Sequence, residues 1–226
     1  MEDEILKKIK EIVEKEENCT DVGHNMEHTM RVYNMCLKLA ESYSEVDLKV
    51  IKYAALLHDI GGQKEIQDKS GETDHALVGA EMAKLILKEF KISDEKIKHI
   101  QDCIISHRYR TENQPKTIEA KILFDSDKLE TTGAIGIARV FVWIGNNKAK
   151  IYYKPENLDE YIKENLGGKI NGIIKDKSKH SPQIQFETKD KFIVNKLYTE
   201  KAKEIAKERT EFYKNFLDRL EKEVKG

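Results

Sequence analysis

Cysteine is scarce in this chain of 226 residues: Cys19, Cys36 and Cys103 are an odd number, and none stands in a CxxC pair. That excludes a disulfide framework and a thiolate zinc site and leaves ordinary buried or half-buried thiols. Proline also occurs only three times, beside abundant Lys, Glu and Ile, a composition compatible with a heat-adapted source. Long apolar runs are missing, and nothing approaches the roughly 18 residues that span a bilayer. The start, MEDEILKKIKEIVEKEEN, has no basic segment leading into an apolar run and a small-residue cleavage site, so it does not read as a signal peptide. A cytoplasmic protein that engages no membrane is the expectation. A charge excess of one sign is absent too, because 40 Lys plus Arg face 41 Asp plus Glu. No global field would therefore steer nucleic acid toward the surface. There is no GxSxG, no Walker loop and no GxGxxG, which removes support for acyl transfer at a nucleophile elbow, P-loop hydrolysis and dinucleotide redox chemistry. Internal repeats, low-complexity segments and a dividing linker are all lacking.

What is present is helical periodicity almost throughout. Ile5, Ile9, Ile12 and Val13 recur at steps of three and four, as do Met26, Met30, Tyr33, Leu37 and Ala40. The run from Asp47 to Leu57 is apolar on nearly every side and predicts a core helix delivering His58 and Asp59 at its carboxyl end, with Gly61 and Gly62 as the stop. After a loop carrying Gly71, helices are predicted from about His75 to Phe90, Asp94 to about Ser106, and Thr117 to Leu129. The stretch 145–191 holds Asn146, Asn147, Gly167, Gly168, Gly172 and Pro182 with irregular apolar spacing, and reads as an arm or lid. A long final helix over about 192–224 carries a stripe of Ala202, Ile205, Ala206, Phe212, Phe216, Leu217 and Leu220, expected to pack back on the first helices. The expectation is one all-α domain: a helical bundle, an irregular arm and a long C-terminal helix.

His28, the doublet His58-Asp59 and Asp127 are the residues that point to chemistry. Each falls in or at the end of a predicted helix, and ALLHDIGG puts His and Asp directly after an apolar run, where an unpaired carboxylate is costly unless a cation compensates it. Imidazole nitrogens with carboxylate oxygens suit Mn, Fe, Co, Ni, Zn or Mg with open coordination positions. Among the other histidines, His24 and His28 form HNMEH, but Asn25 stands where a zinc protease needs its Glu. His99 and His180 have no companion pattern and read as surface or capping residues. Asp125 and Glu130 flank Asp127 closely enough to orient a ligand or a water.

In order and spacing His28, His58-Asp59 and Asp127 resemble the signature of the HD phosphohydrolase superfamily. HTMRVY at 28–33 resembles its first-ligand helix, and FDSDKLETTGAIGIARVF at 124–141 resembles the helix bearing the last Asp, especially in the bacterial and archaeal branch of small nucleotide pyrophosphohydrolases. The likeness covers about 21–141 and, more weakly, the carboxyl end. It implies an HD-type helical bundle in which His28, His58, Asp59 and Asp127 hold a divalent metal. His75, in DHALVGAEMAKLIL, and His107, in IISHRYR, also match in setting. In dinuclear members such histidines bind a second metal, and in mononuclear members they face substrate phosphate, so the resemblance implies one or two ions per chain. Arg108 and Arg110 beside His107 would repel a second cation, which favours phosphate contact.

The expected activity is hydrolysis of a phosphate ester or anhydride of a small, nucleotide-like substrate. A metal-bound hydroxide would attack phosphorus, with Asp59 as an acceptor for the water's proton. His75, His107, Arg31, Lys64, Arg108 and Arg110 would contact the phosphates. Two alternatives of other classes use the same residues. One is a di-iron oxygenase of HD type. The other is a catalytically silent nucleotide-binding module.

Overall fold

The computed structural model of the chain describes residues 2–17, 25–108 and 113–226. Among them there is no strand, and the chain divides into two compact units, Met1–Asp127 and Lys128–Gly226. No helix is long and apolar enough to cross a membrane. Cys19, His24 and Arg110 lie outside the described residues.

In the first unit, side-chain caps set where the helices begin. Asn25 accepts from the Glu27 and His28 amides to start α2 (Met26–Ala40), and Asp47 accepts from Lys49 and Val50 to start α3 (Leu48–Leu57). Asp74 caps α5 (His75–Glu89) through the Ala76 amide, and Ser93 caps α6 (Asp94–Ser106) through Lys96. Each such bond satisfies an amide that the helix itself cannot. The chain opens with α1 (Glu2–Glu17), and α7 (Ile118–Leu129) runs across the boundary into the second unit. Helix α3 is the axis of this core. Its Val50, Tyr53, Ala55, Leu56 and Leu57 are completely buried, and it packs on α1, α2, α5 and α6. Cys36 and Cys103 are buried as expected, and burial pushes the Cys36 thiol up to about 12, so neither is a thiolate.

Two local readings differ from the structure. Gly61 and Gly62 do not simply stop the chain's helical course: a short helix, α4 (Gly62–Gln67), starts there. Gly61 is demanded by close approach, since a Cβ on it would stand 2.3 Å from the His75 carbonyl oxygen and 2.7 Å from the Gly79 amide. This packing seats the turn after Asp59 on the first turn of α5. His99 is no mere surface residue either, because its Nε2 lies 3.0 Å from Thr117 Oγ1 and 3.3 Å from the buried Glu119 carboxylate.

The second unit contains α8 (Gly133–Asn146), α9 (Leu158–Asn165), α10 (Pro182–Thr188) and α11 (Glu200–Lys225), with 3-10 turns at Lys177–Lys179 and Asp190–Lys196. Ile137, Val140, Ile144, Phe186, Tyr213 and Leu217 form one core cluster, and Tyr161, Leu166 and Ile184 form another. The stretch read as an irregular arm therefore carries short helices and apolar anchors of its own. The final helix begins at Glu200, not near 192, because residues 190–196 adopt the tighter 3-10 form. Its stripe is shifted as well: Tyr213 is 1% exposed and Phe212 is 50% exposed.

His180, read as a surface or capping residue, does cap the 3-10 turn Lys177–Lys179, but it is buried within a directed chain of hydrogen bonds. Asn165 Nδ2 donates to the Tyr161 hydroxyl oxygen (2.6 Å), and that hydroxyl donates to His180 Nδ1 (2.9 Å). His180 Nε2–H then donates to Gln185 Oε1 (3.2 Å), whose Nε2 donates to Asp190 Oδ1 (3.1 Å). Both nitrogens of the ring are thus satisfied by protein, and burial lowers the pKa of His180.

Candidate metal centre

Helix ends bring four histidines of the first unit together. His58 and His107 are the carboxyl-terminal caps of α3 and α6, where backbone carbonyls run out of intrahelical donors. Each ring uses the carbonyl three residues back: His58 Nδ1 donates to Ala55 O at 2.9 Å, and His107 Nδ1 donates to Ile104 O at 2.6 Å. His75 is the first residue of α5, an end that offers amides and no free carbonyls. Its Nδ1 donates instead to Glu65 Oε2 on α4, at 2.5 Å. With the Nδ1 hydrogen committed in all three rings, each Nε2 carries a lone pair.

Those lone pairs converge. His58 Nε2 lies 3.4 Å from His28 Nε2, and the two stand 3.4 and 3.5 Å from Asp59 Oδ2. His75 Nε2 lies 3.3 Å from His107 Nε2, and these stand 3.5 and 3.4 Å from the other oxygen of the same carboxylate, Asp59 Oδ1. Asp127 Oδ1 joins the first group, 3.5 Å from His28 Nε2. His28 and His58 are completely buried and His107 is 2% exposed. Acceptor facing acceptor in a dry setting is unfavourable unless a cation stands between them.

The spacings are those of a coordination shell. Ligands bonded at about 2.1 Å to one ion lie about 3.4 Å apart at a tetrahedral angle and about 3.0 Å apart at a right angle. The donor set therefore fits a divalent metal, and two groups could hold one: His28, His58 and Asp59, and Asp59, His75 and His107. Burial lowers the pKa of His107, keeping its ring neutral, the form that ligates.

The cations picked out from the sequence are placed differently from one another. Arg31 is half-buried on α2, one turn beyond His28, and Lys64 is exposed on α4. Arg108 binds two carboxylates, Glu65 Oε1 at 2.7 Å and Asp74 Oδ2 at 2.9 Å. Its charge is thereby offset, which removes that residue's share of the electrostatic argument against a second cation. Asp125 is completely buried, while Glu130 faces Arg139 at 3.7 Å. Sequence reasoning missed Glu65 and Asp74. Asp74 carried a signal as a helix cap, whereas nothing local ties Glu65 to His75 ten residues away.

Residues 25–132 match the family model of the HD domain. That stretch of the chain is an HD domain. YpgQ of Bacillus subtilis is 26% identical over 208 residues, covering 90% of this chain and 86% of YpgQ. The crystal structure of B. subtilis YpgQ in complex with ADP has the same fold, with a TM-score of 0.71 and 24% identity over 100% of this chain and 97% of that one. A predicted HD superfamily hydrolase from an uncultured Thermotogales bacterium is 26% identical, with a TM-score of 0.64, over 96% of this chain and 92% of that one. The four residues read from the sequence as metal ligands, His28, His58, Asp59 and Asp127, all lie within the matched residues and in the cluster described above, with His75 and His107 beside them.

Proposed function

We propose that this HD protein is a metal-dependent phosphohydrolase acting on a nucleotide-like phosphate ester or anhydride. The observation that carries the reading is the convergence of imidazole Nε2 atoms on the two oxygens of one carboxylate, Asp59. His28, His58, Asp59 and Asp127 would hold one divalent cation, and Asp59, His75 and His107 a second. Such cations supply Lewis acidity toward a phosphoryl oxygen and an activated water. The chain's own part is to fix these donors on helix ends and, at His58, His75 and His107, to tie the Nδ1 hydrogen elsewhere so that Nε2 keeps its lone pair. Both Asp59 oxygens face imidazole nitrogens, so ligation suits them better than proton acceptance. Arg31 and Lys64 are the described cations we assign to substrate phosphate. The ADP bound by YpgQ, a protein of the same fold, supports a nucleotide as ligand.

The test is a screen of purified protein with Mn, Co, Ni and Mg against nucleoside mono-, di- and triphosphates, dinucleoside polyphosphates and cyclic dinucleotides, separating orthophosphate from pyrophosphate release. Metal-dependent turnover of one class is the expected result, and no phosphate release with any metal would defeat the reading. The second group, Asp59 with His75 and His107, also favours an alternative in which both sites take iron and the protein is a di-iron oxygenase. Oxygen uptake and a visible absorption band in iron-loaded protein, without phosphate release, would identify that case.

A further inference from the structure

Glu65, Arg108 and Asp74 form a network outside the ligand groups, and all of it is tied to His75. Glu65 accepts the Nδ1 hydrogen of His75 on one oxygen (2.5 Å) and a hydrogen from Arg108 Nη2 on the other (2.7 Å). Arg108 Nη1 meets Asp74 Oδ2 at 2.9 Å, while Asp74 Oδ1 caps α5 through the Ala76 amide, also at 2.9 Å. One guanidinium thus joins the α4 carboxylate to the head of α5, and it follows His107 directly in the chain. Upstream, Asp68 takes Ser70 and Thr73 amides at 2.8 Å each, which folds the loop that leads from α4 back to Asp74. His75 is the one ring of the three that has no helix carbonyl within reach of its Nδ1, so its tautomer depends on this network.

We infer that Glu65, clamped by Arg108, is a positioning residue that fixes His75 as the Nδ1–H tautomer with Nε2 aimed at Asp59 and His107, and so sets the affinity of the second metal site. The inference rests on the proposed two-ion reading. It gives Arg108 a use different from phosphate binding: its planar fork spans two carboxylates, which a lysine ammonium cannot reproduce. A carboxylate behind a ligating imidazole also raises its basicity, and loss of such a partner lowers metal affinity by about 10- to 100-fold.

The experiment compares wild type, Glu65→Gln, Glu65→Ala, Arg108→Lys and His75→Ala. Glu65 is on a short, partly exposed helix, and Glu65→Gln keeps its shape, so circular dichroism should report an intact fold. Manganese binding is followed by isothermal titration with elemental analysis, and the His75 tautomer by long-range 15N–1H spectra of the metal-free protein. We expect two ions in the wild type and one in His75→Ala. Both Glu65 variants should weaken the second ion about 10- to 100-fold, more in Glu65→Ala, with the first ion unchanged. The Nδ1–H signature of His75 should weaken in Glu65→Gln and vanish in Glu65→Ala. Arg108→Lys should follow Glu65→Gln in metal affinity, with kcat falling more than KM rises. Two ions in the wild type, one in His75→Ala and unchanged affinity and tautomer in the Glu65 variants would overturn this inference alone. Raised KM with full metal affinity in Arg108→Lys would overturn the clamp and return Arg108 to phosphate binding. A single ion in the wild type, unaffected by His75→Ala, would overturn the two-ion reading and this inference together.

Discussion

Buried histidines occur in both units of this protein, and they are buried on opposite terms. In the second unit His180 accepts at Nδ1 from Tyr161 and donates at Nε2 to Gln185, so the ring is finished by protein. In the first unit His58, His75 and His107 donate outward at Nδ1 and present Nε2 lone pairs to one another and to a carboxylate, an arrangement completed only by a cation. Burial of an imidazole is therefore not what marks a site. The mark is a set of buried acceptors with no donors among them.

The sharpest way to break this contrast is to remove the carboxylate both groups share. Asp59→Ala should reduce metal-dependent phosphate release to background while circular dichroism keeps its helical signal. A variant that retains wild-type turnover would remove Asp59 from the account.

A second prediction concerns the far end of the His180 chain. Asp190 is 3% exposed, and burial pushes its carboxyl up to about 7 against the pull of Lys189, Gln185 and Arg139. An unfolded aspartate releases its proton near pH 3.8. The folded state therefore holds a proton that the unfolded state has lost between these values. The resulting stability is fully present below about pH 4 and is lost as pH rises through about 7, on the order of 4 kcal/mol in all. Asp190→Asn keeps the bond from Gln185 and should flatten this part of the profile, with a higher Tm than wild type at pH 8. Parallel Tm profiles from pH 4 to 8 would show that Asp190 is not the titrating group.

His180→Ala leaves the Tyr161 hydroxyl hydrogen and Gln185 Oε1 without their partner and should cost about 2–3 kcal/mol in urea unfolding. Metal stoichiometry should not change, and a lost ion would erase the distinction between the two histidine classes. The smallest effects come from adjacent glycines. Gly61→Ala forces a Cβ onto the His75 carbonyl and should cost about 1–3 kcal/mol, with weakened metal binding, because it separates Asp59 from α5. Gly62 has open space around its Cα, so Gly62→Ala should be neutral or stabilising by no more than about 1 kcal/mol.

The same contrast explains what the sequence made legible. Helices α2, α3, α5 and α6 could be read because apolar periodicity and a capping Asn, Asp or Ser agree at each start. Helix α4 could not, since a glycine pair after a helix ordinarily signals a stop and Gly61 offers no side-chain cap. No helix is read over α8 from periodicity, because GAIGIARVFVW is apolar on almost every side. The start of α11 was placed early because Phe192, Ile193 and Val194 continue an apolar pattern that the 3-10 turn also satisfies.

His58 and Asp59 stood out because polar ligands close an apolar run. The burial of His180 is not legible because its partners, Tyr161 and Gln185, meet it only through the folding of a glycine- and asparagine-rich stretch. Glu65 was invisible for a related reason: its value depends on His75 sitting at a helix start, where no carbonyl is free.

The central claim is that Asp59 stands between two ligand groups, each able to hold a divalent ion. Anomalous diffraction from a manganese-soaked crystal tests it most directly. The account predicts two peaks flanking the Asp59 carboxylate, one bounded by His28, His58 and Asp127 and the other by His75 and His107. A single peak, or manganese that avoids Asp59, would contradict it.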